Sequence, residues 1–511
     1  MKLVAGLALP RGDWPLVAAG ALLLLLVYPP FHLLLPSFVC VVPVVWLLAA
    51  AADDPRPLRR RLVQGFWYGF LSQGLVLYWM IAALWHFSRL AAAGYAVTIL
   101  FMGLFTAVLF ATVGWVTART AVPLVVVLPV GWTTLEWLVG HLADVAFPWL
   151  GLGTSLTGYP ILVQIADVVG ARGITFLLVA ANVLLATAWL ERGRRAVRCA
   201  ALVGAGVVVA LGYGVWRERT LALRSLGTVA LVQPNVGFQD KWERDAARRI
   251  FDDLLVLSRE AIAAGDPDLV LWPEAAIPRY FPYPPWEAEI GRLAREHGTP
   301  FLVGGLDSQP YGSGPNEYYN WNSAFLFDST GSREPYPPYH KRYLVPVTER
   351  VPFVPPEWFN LRFFGGFEVG EPGSVYQVGI GRFGVVICYE SAFEGLARRY
   401  RRQGADFIVN ATNDAWFGET SAPRQHLAHL TMRAIENRLG VARPANTGIS
   451  GFVNPLGYVY HRTRYGERTT VVGELMAADV VPLYTRLGDW VGTLCLAASV
   501  GLLGYAWGRR R

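Results

Sequence analysis

The sequence predicts a protein of two parts: a polytopic α-helical membrane domain of about eight spans, and an α/β layered domain inserted before the last span. Three observations predict this. The 511 residues are 53% hydrophobic with a mean hydropathy of +0.34, which at this length fits a membrane protein rather than a large soluble enzyme. Apolar runs near the ~20 residues needed to cross a bilayer crowd residues 1–216 and return once near the C-terminus. Between them, from 217 to 486, apolar runs shorten, end in polar residues and alternate with amphipathic helices, which is the signature of α/β layers.

The spans are predicted at 14–28, 36–52, 62–85, 91–116, 121–140, 173–190, 199–215 and 490–507. Lys2, Arg11 and the leucine run 22–26 resemble a signal peptide, but further apolar segments follow at once, so the first is read as a retained span. Prolines in "PPFHLLLP" separate the first two by a turn. The net charge of +7 does not point to a nucleic-acid partner, because many arginines sit in short loops between apolar runs. "DDPRPLRRR" (53–61), "ERGRRAVR" (191–198) and "GRRR" (508–511) fall on one face if the chain starts in the cytoplasm and crosses eight times. The expected location is therefore the cytoplasmic (inner) membrane, with 1–216 and 487–511 forming the membrane part and 217–486 on the periplasmic or outer face. Glu136 lies inside a span, where an ionised carboxylate costs roughly 2.5–3.5 kcal/mol on insertion scales unless neutral, paired or wet. Arg172 is its expected partner.

Within 217–486, buried strands are predicted at 228–235, 268–275, 300–307, 323–330, 383–390 and 406–414, with amphipathic helices at 246–264 and 423–439. In such folds functional residues gather at the carboxyl ends of strands. Three ends carry reactive groups: Glu274 in "WPEAAIP", Cys388 in "ICYES", and the polar set of "VNATNDAWFG". A proline- and aromatic-rich loop, "YHKRYLVPVTERVPF", adds Lys341 and Glu349.

The other cysteines, Cys40, Cys199 and Cys495, lie in or open apolar runs, and no CxxC or Cys/His cluster suggests a metal. A lone cysteine on a strand is most often a small core hydrophobe. With a carboxylate to take its proton and a lysine to stabilise an oxyanion, it becomes a nucleophile for acyl transfer through a thioester, with no histidine needed. Lysines are scarce against arginines, which makes the choice of Lys341 informative. His426 and His429 stand three apart on a helix without further ligands, and Asp414 is expected to satisfy backbone donors of its own loop.

"WPEAAIP", a lysine before "LVP", and "CYES" resemble the Glu–Lys–Cys motifs of the nitrilase superfamily, with its αββα sandwich. With "NATNDAWFG…APRQHLAHLTMRAIENRLGVARPANTGISGFVNPLG" and spans on both sides, the chain resembles the bacterial apolipoprotein N-acyltransferases, most strongly over 228–457. The resemblance implies Glu274 as general base, Lys341 as oxyanion lysine and Cys388 as nucleophile, supported by Glu349, Tyr389 and Glu390. It implies substrate-binding positions at Trp242 in "KW", Asn320 in "YYN" and Trp149 in "FPWLGLG", the last in an outer-face membrane loop. Where the family reads closer to LVPFGEYVPF, this chain has Val347, Thr348 and Arg350. These differences leave the triad in place and bear on the substrate entrance.

The function so implied is transfer of an acyl chain from a membrane phospholipid to the α-amino group of an S-diacylglyceryl cysteine on an apolipoprotein, the last step of lipoprotein maturation. The partners are thus a phospholipid donor, a diacylated apolipoprotein acceptor and membrane lipids, with no nucleic acid, metal or cofactor. A membrane-tethered nitrilase-type amidase would use the same three residues with water as second nucleophile. A transporter should show paired repeats or broken spans along a path, and the sequence shows neither.

Overall fold

The computed structural model describes residues 8–85, 91–237, 240–243, 246–311, 318–346, 348–353 and 366–509. Among the described residues the N-terminal part holds nine α-helices: α1 Trp14–Val27, α2 Leu34–Ser37, α3 Val42–Ala50, α4 Pro57–Val76, α5 Trp79–Trp85, α6 Ala91–Arg119, α7 Leu124–Val139, α8 Ala166–Leu190 and α9 Arg194–Thr220. Helix α9 runs past the expected boundary at 216. Two expected spans are interrupted. The segment 36–52 divides between α2 and α3, where Pro36 and Pro43 disturb the helix. The segment 62–85 divides after Val76, whose carbonyl accepts a hydrogen bond from Gln425 in the α/β domain at 3.3 Å. A tertiary contact that hydropathy does not register thus lies at this break.

Among the described residues, the α/β domain holds two sheets. One has the order β13-β1-β2-β4-β5-β6, built from β1 Arg224–Gln233, β2 Leu269–Leu271, β4 Phe301–Pro310, β5 Tyr318–Phe327, β6 Tyr339–His340 and β13 Thr469–Ala477, with β3 Tyr280–Phe281 beside β4. The other runs β12-β11-β10-β9-β8-β7, from β7 Tyr376–Val378, β8 Gly381–Ile387, β9 Phe407–Ala411, β10 Gly440–Arg443, β11 Gly451–Val453 and β12 Val459–Tyr460. Parallel pairing at β1/β2/β4 and at β8/β9/β10 aligns the carboxyl ends of the central strands in each sheet.

Strand side chains alternate faces, and this alternation builds the layers. Val229, Leu231, Leu271 and Leu302 of the first sheet pack on Val385, Ile387, Val409 and Phe452 of the second. Their neighbours Ala230, Val232, Val270 and Val303 turn the other way, onto α10 Ala246–Gly265 and α11 Pro284–His297. Val386, Ile408 and Val441 face α12 Glu394–Arg402 and α13 Ala422–Asn437. The result is the expected αββα sandwich. After it come α14 Leu483–Leu487 and α15 Trp490–Gly508.

Among the described residues, four helices are long and apolar enough to cross a membrane: α6, α8, α9 and α15. α1, with 14 residues, and α7, with 16, are shorter than their predicted spans.

Polar groups bind the two parts together. Arg438, fully buried, donates to Asp167 of α8 at 2.8 Å and to the Gln164 side chain at 2.6 Å. Glu436 accepts the Ala171 N–H at 2.8 Å. Arg172 pairs with Glu394 and, at 2.9 Å, with Asp489. The expected Glu136–Arg172 pair is therefore not formed. Glu136 instead accepts from Trp132 (3.1 Å), the Leu152 N–H (2.9 Å) and Thr175 (2.8 Å). Neutral donors suffice for this carboxylate, which releases the guanidinium to the junction.

Candidate active site

Glu274 follows β2, and Cys388 follows β8, each at the carboxyl end of a strand. The turn after β2 needs room. A Cβ at Gly304 of the neighbouring β4 would meet the Pro273 carbonyl oxygen at 2.0 Å, so only glycine lets this backbone pass. Cys388 has φ +49°, a left-handed conformation uncommon outside glycine. It opens a short 3-10 turn, Cys388–Ala392.

Glu274, Lys341 and Glu349 form one cluster, in which Glu274 and Lys341 are buried and Glu349 is half-buried. Lys341 Nζ donates to Glu274 Oε1 at 3.1 Å and to Glu349 Oε1 at 2.9 Å, and Lys341 is only 1% exposed. Glu274 Oε2 accepts the Asn413 N–H at 2.9 Å, and Glu349 Oε2 accepts the Val345 N–H at 2.8 Å. Burial alone would lower the Lys341 pKa, but the charges of Glu274, Glu349 and Cys388 outweigh it and hold the ammonium well above its usual value. The Cys388 thiol is pushed up, first by burial and then by Glu274, while Lys341 pulls the other way. The resting thiol is therefore protonated, and a nucleophilic sulfur requires a base.

Glu390 acts as a clamp. Its Oε1 accepts from the N–H groups of Arg342 (2.6 Å) and Tyr343 (3.1 Å), and its Oε2 from the Ile387 N–H (2.6 Å). The Tyr339 hydroxyl lies within 2.9 Å of both oxygens. Burial raises its pKa to about 7 against the pull of these donors. One carboxylate thus fastens the loop of Lys341 to the turn of Cys388. Tyr389 reaches toward the membrane part. Its hydroxyl donates to the Ala146 carbonyl at 2.8 Å, and its ring stacks 6.0 Å from Trp149.

The three expected substrate-binding positions fare differently. Trp149 is 2% exposed, donates to Gln425 Oε1 at 2.9 Å and packs on His429 at 4.9 Å. Its geometry is that of a packed anchor between the two parts. Asn320 accepts the Glu368 N–H on its backbone carbonyl. The backbone of Trp242 ends the 3-10 turn Asp240–Trp242, and its side chain lies outside the described residues. Of the family differences, Val347 lies outside the described residues, Thr348 donates to the Val345 carbonyl, and Arg350 faces Asp144 at 3.9 Å.

Sequence reasoning passed over three residues, Asn322, Lys241 and Gln425, and weighed a fourth, His426, only as a metal ligand. Asn322 Nδ2 donates to Glu274 Oε1 (2.7 Å) and Glu349 Oε1 (3.0 Å). It stands two positions from Asn320 on the same face of β5, so strand alternation from the chosen asparagine would have found it. Lys241 is buried in the same turn as Trp242; burial lowers its pKa to about 8 while the Glu274 charge opposes the shift. Gln425 Oε1 accepts from both Trp79 (3.0 Å) and Trp149 (2.9 Å). His426 meets the Cys388 carbonyl at 2.8 Å. Asp414, expected to serve its own loop backbone, instead pairs with Arg443 (2.8 Å) and His426 (3.0 Å), because the Arg443 guanidinium is buried beside it.

A cavity opens between the membrane helices and the α/β domain. Leu24, Met102 and Trp132 line it from the membrane side. Ala392, in the turn begun by Cys388, and His429 line it from the other.

Residues 228–484 match the family model for carbon-nitrogen hydrolases, and residues 20–184 match that for the apolipoprotein N-acyltransferase N-terminal domain. The apolipoprotein N-acyltransferase of Geobacter metallireducens is 31% identical, over 98% of this chain and 97% of its own. That of Brucella suis is 32% identical over 95% and 94%, and that of Chlorobaculum tepidum 29% over 85% and 87%. Among solved structures, an amidase from Nesterenkonia sp. aligns with 52% of this chain and 95% of its own, at 21% identity and a TM-score of 0.38. With both halves matched, and identity above 30% along nearly the whole length, the chain belongs to the apolipoprotein N-acyltransferase family.

Proposed function

We propose that this protein transfers an acyl chain from a membrane phospholipid to the α-amino group of an S-diacylglyceryl cysteine at the start of an apolipoprotein. The observation that carries the reading is the Glu274–Lys341–Glu349 cluster, whose Glu274 and Lys341 charges act on a Cys388 thiol that burial keeps protonated, in a chain of this family. Glu274 takes the Cys388 proton as the sulfur attacks the phospholipid ester. Lys341 Nζ and the Tyr389 N–H stabilise the oxyanion. Collapse breaks the ester C–O bond, the proton passes from Glu274 to the leaving alkoxide, and lysophospholipid departs from acyl-Cys388. The amine then attacks the thioester. An α-amine with pKa near 7.7–8.0 is partly unprotonated at neutral pH. Glu274 takes its proton and returns it to the sulfur as the amide forms.

Glu349, Glu390 and Asn322 hold the three reacting groups in register. In this reading the acyl chain lies toward the largely apolar cavity beside Ala392, where it would shield the thioester from water. The basic loops at 53–61, 191–198 and 508–511 support a cytoplasmic-membrane location with the α/β domain on the outer face.

The test is the fate of the acyl group. Purified protein mixed with phospholipid should gain one acyl mass that persists in buffer. A diacylglyceryl-cysteine peptide with a free amine should remove it as an amide, an acetylated peptide should not, and Cys388→Ala should never gain it. Loss of the acyl mass as free fatty acid, at one rate with or without peptide, would establish a hydrolase instead.

A further inference from the structure

We propose that His426 is a positioning residue that aims the oxyanion-binding Tyr389 N–H by holding the carbonyl of the same peptide unit, that of Cys388. The proposal rests on the reading of Cys388 as nucleophile and of that N–H as oxyanion donor.

The geometry is closed on every side. His426 is fully buried, and its Nε2 lies 2.8 Å from the Cys388 carbonyl oxygen. A carbonyl oxygen only accepts, so Nε2 carries the proton whatever the state of the other ring nitrogen. Nδ1 lies 3.1 Å from Arg443 Nη2 and 3.0 Å from Asp414 Oδ1. A neutral ring accepts there from the arginine, and a charged one donates to the aspartate. Asn410 Nδ2 approaches the same Cys388 carbonyl at 3.4 Å. Arg443 fastens the surroundings, donating to Asn410 Oδ1 (2.6 Å), Asp414 Oδ2 (2.8 Å) and the Ile449 carbonyl (3.0 Å).

The consequence follows from peptide planarity. The carbonyl of Cys388 and the N–H of Tyr389 belong to one rigid trans unit and point in opposite directions. Holding the oxygen toward His426 therefore sends the N–H the other way. The hold is needed because Cys388 sits at φ +49°, a conformation that persists only where its surroundings impose it. Released, this peptide would rotate and take the oxyanion donor out of aim, while the thiol and its base stayed in reach. His426 is no second base for the thiol, since Nε2 carries its proton toward the carbonyl and Nδ1, the nitrogen a base would use, faces Arg443 and Asp414.

The test separates chemistry that develops an oxyanion from chemistry that does not. Single-turnover acylation of Cys388 would be measured with mixed phosphatidylethanolamine and phosphatidylglycerol in detergent micelles. Alkylation of Cys388 by iodoacetamide, a displacement without an oxyanion, would be measured on the same samples. His426→Leu removes the donor. His426→Asn keeps a polar group near Nδ1 but falls short of the carbonyl, and serves if the leucine variant does not fold. His426→Gln brings an amide N–H to the place of Nε2. Losing a whole oxyanion donor costs about 10²–10³-fold, so a misaimed one should cost at least about 10-fold in acylation. Alkylation should stay within about twofold, and His426→Gln should recover most of the loss. Equal losses in acylation and alkylation, unchanged acylation in the leucine or asparagine variant, or a glutamine variant as slow as leucine would each overturn the proposal. Wild type acquiring no acyl mass on Cys388 would instead overturn the reading of the nucleophile.

Discussion

Asn322 Nδ2 lies 2.7 Å from Glu274 Oε1, closer than the lysine ammonium that shares the same oxygen at 3.1 Å. A neutral amide therefore helps fix the orientation of the carboxylate proposed to take the thiol proton. It also reaches Glu349, so it spaces two like charges around one cation.

Asn322→Leu should leave Glu274 and Glu349 held apart by Lys341 alone. A buried charged acceptor that loses a donor forfeits roughly 1.5–3 kcal/mol, which corresponds to about a 10- to 100-fold loss in kcat/KM. The folded protein should remain in the membrane. Turnover equal to wild type would show that Asn322 only packs.

Glu274→Gln should move two rates in opposite directions. After burial, the Glu274 charge is the next cause raising the Cys388 pKa, and Lys341 lowers it. Removing the carboxylate at constant pH leaves more thiolate, so iodoacetamide should label Cys388 faster. Acylation should slow by about 10²-fold or more, because the positioned base is gone. In wild type, labelling should keep rising with pH beyond the range of an ordinary thiol, as a raised pKa requires. Slower labelling in the variant would contradict this account.

Gln425→Leu should loosen the junction between the two parts. The side chain receives both indole N–H groups of Trp79 and Trp149, and each buried donor left unpaired costs about 1–3 kcal/mol. The melting temperature in detergent should fall by several degrees. Trp149→Phe should fall less, losing one donor along with its acceptor contact. A Trp149→Phe protein with unchanged melting temperature but a raised KM would assign Trp149 to substrate binding instead.

Reporter fusions after Arg195 and after Ser329 should give opposite topologies, cytoplasmic and outer. Matching answers would mean that α9 does not cross between the two positions, and the orientation proposed from the basic loops would fail.

The sequence by itself determined the two-part architecture, the strands that carry Glu274 and Cys388, and the long helices of the α/β domain. α10 was expected at 246–264 and ends at Gly265; α13 was expected at 423–439 and runs from Ala422 to Asn437. These are periodic signals, written in local apolar spacing and legible without tertiary knowledge. The trio proposed to react was legible for another reason: each member lies in a short motif whose chemistry is particular. Only the tertiary structure decided the interruption after Val76, the partner of Arg172, the contact of Asn322 with Glu274 and Glu349, and the meeting of His426 with Cys388. All four depend on hydrogen bonds between residues far apart in the chain, where distance in sequence carries no information about distance in space. A buried polar group must find some partner. Which one it finds is settled only when helices and sheets are packed, and here the junction between membrane helices and α/β domain claimed Arg172 and Gln425 for itself.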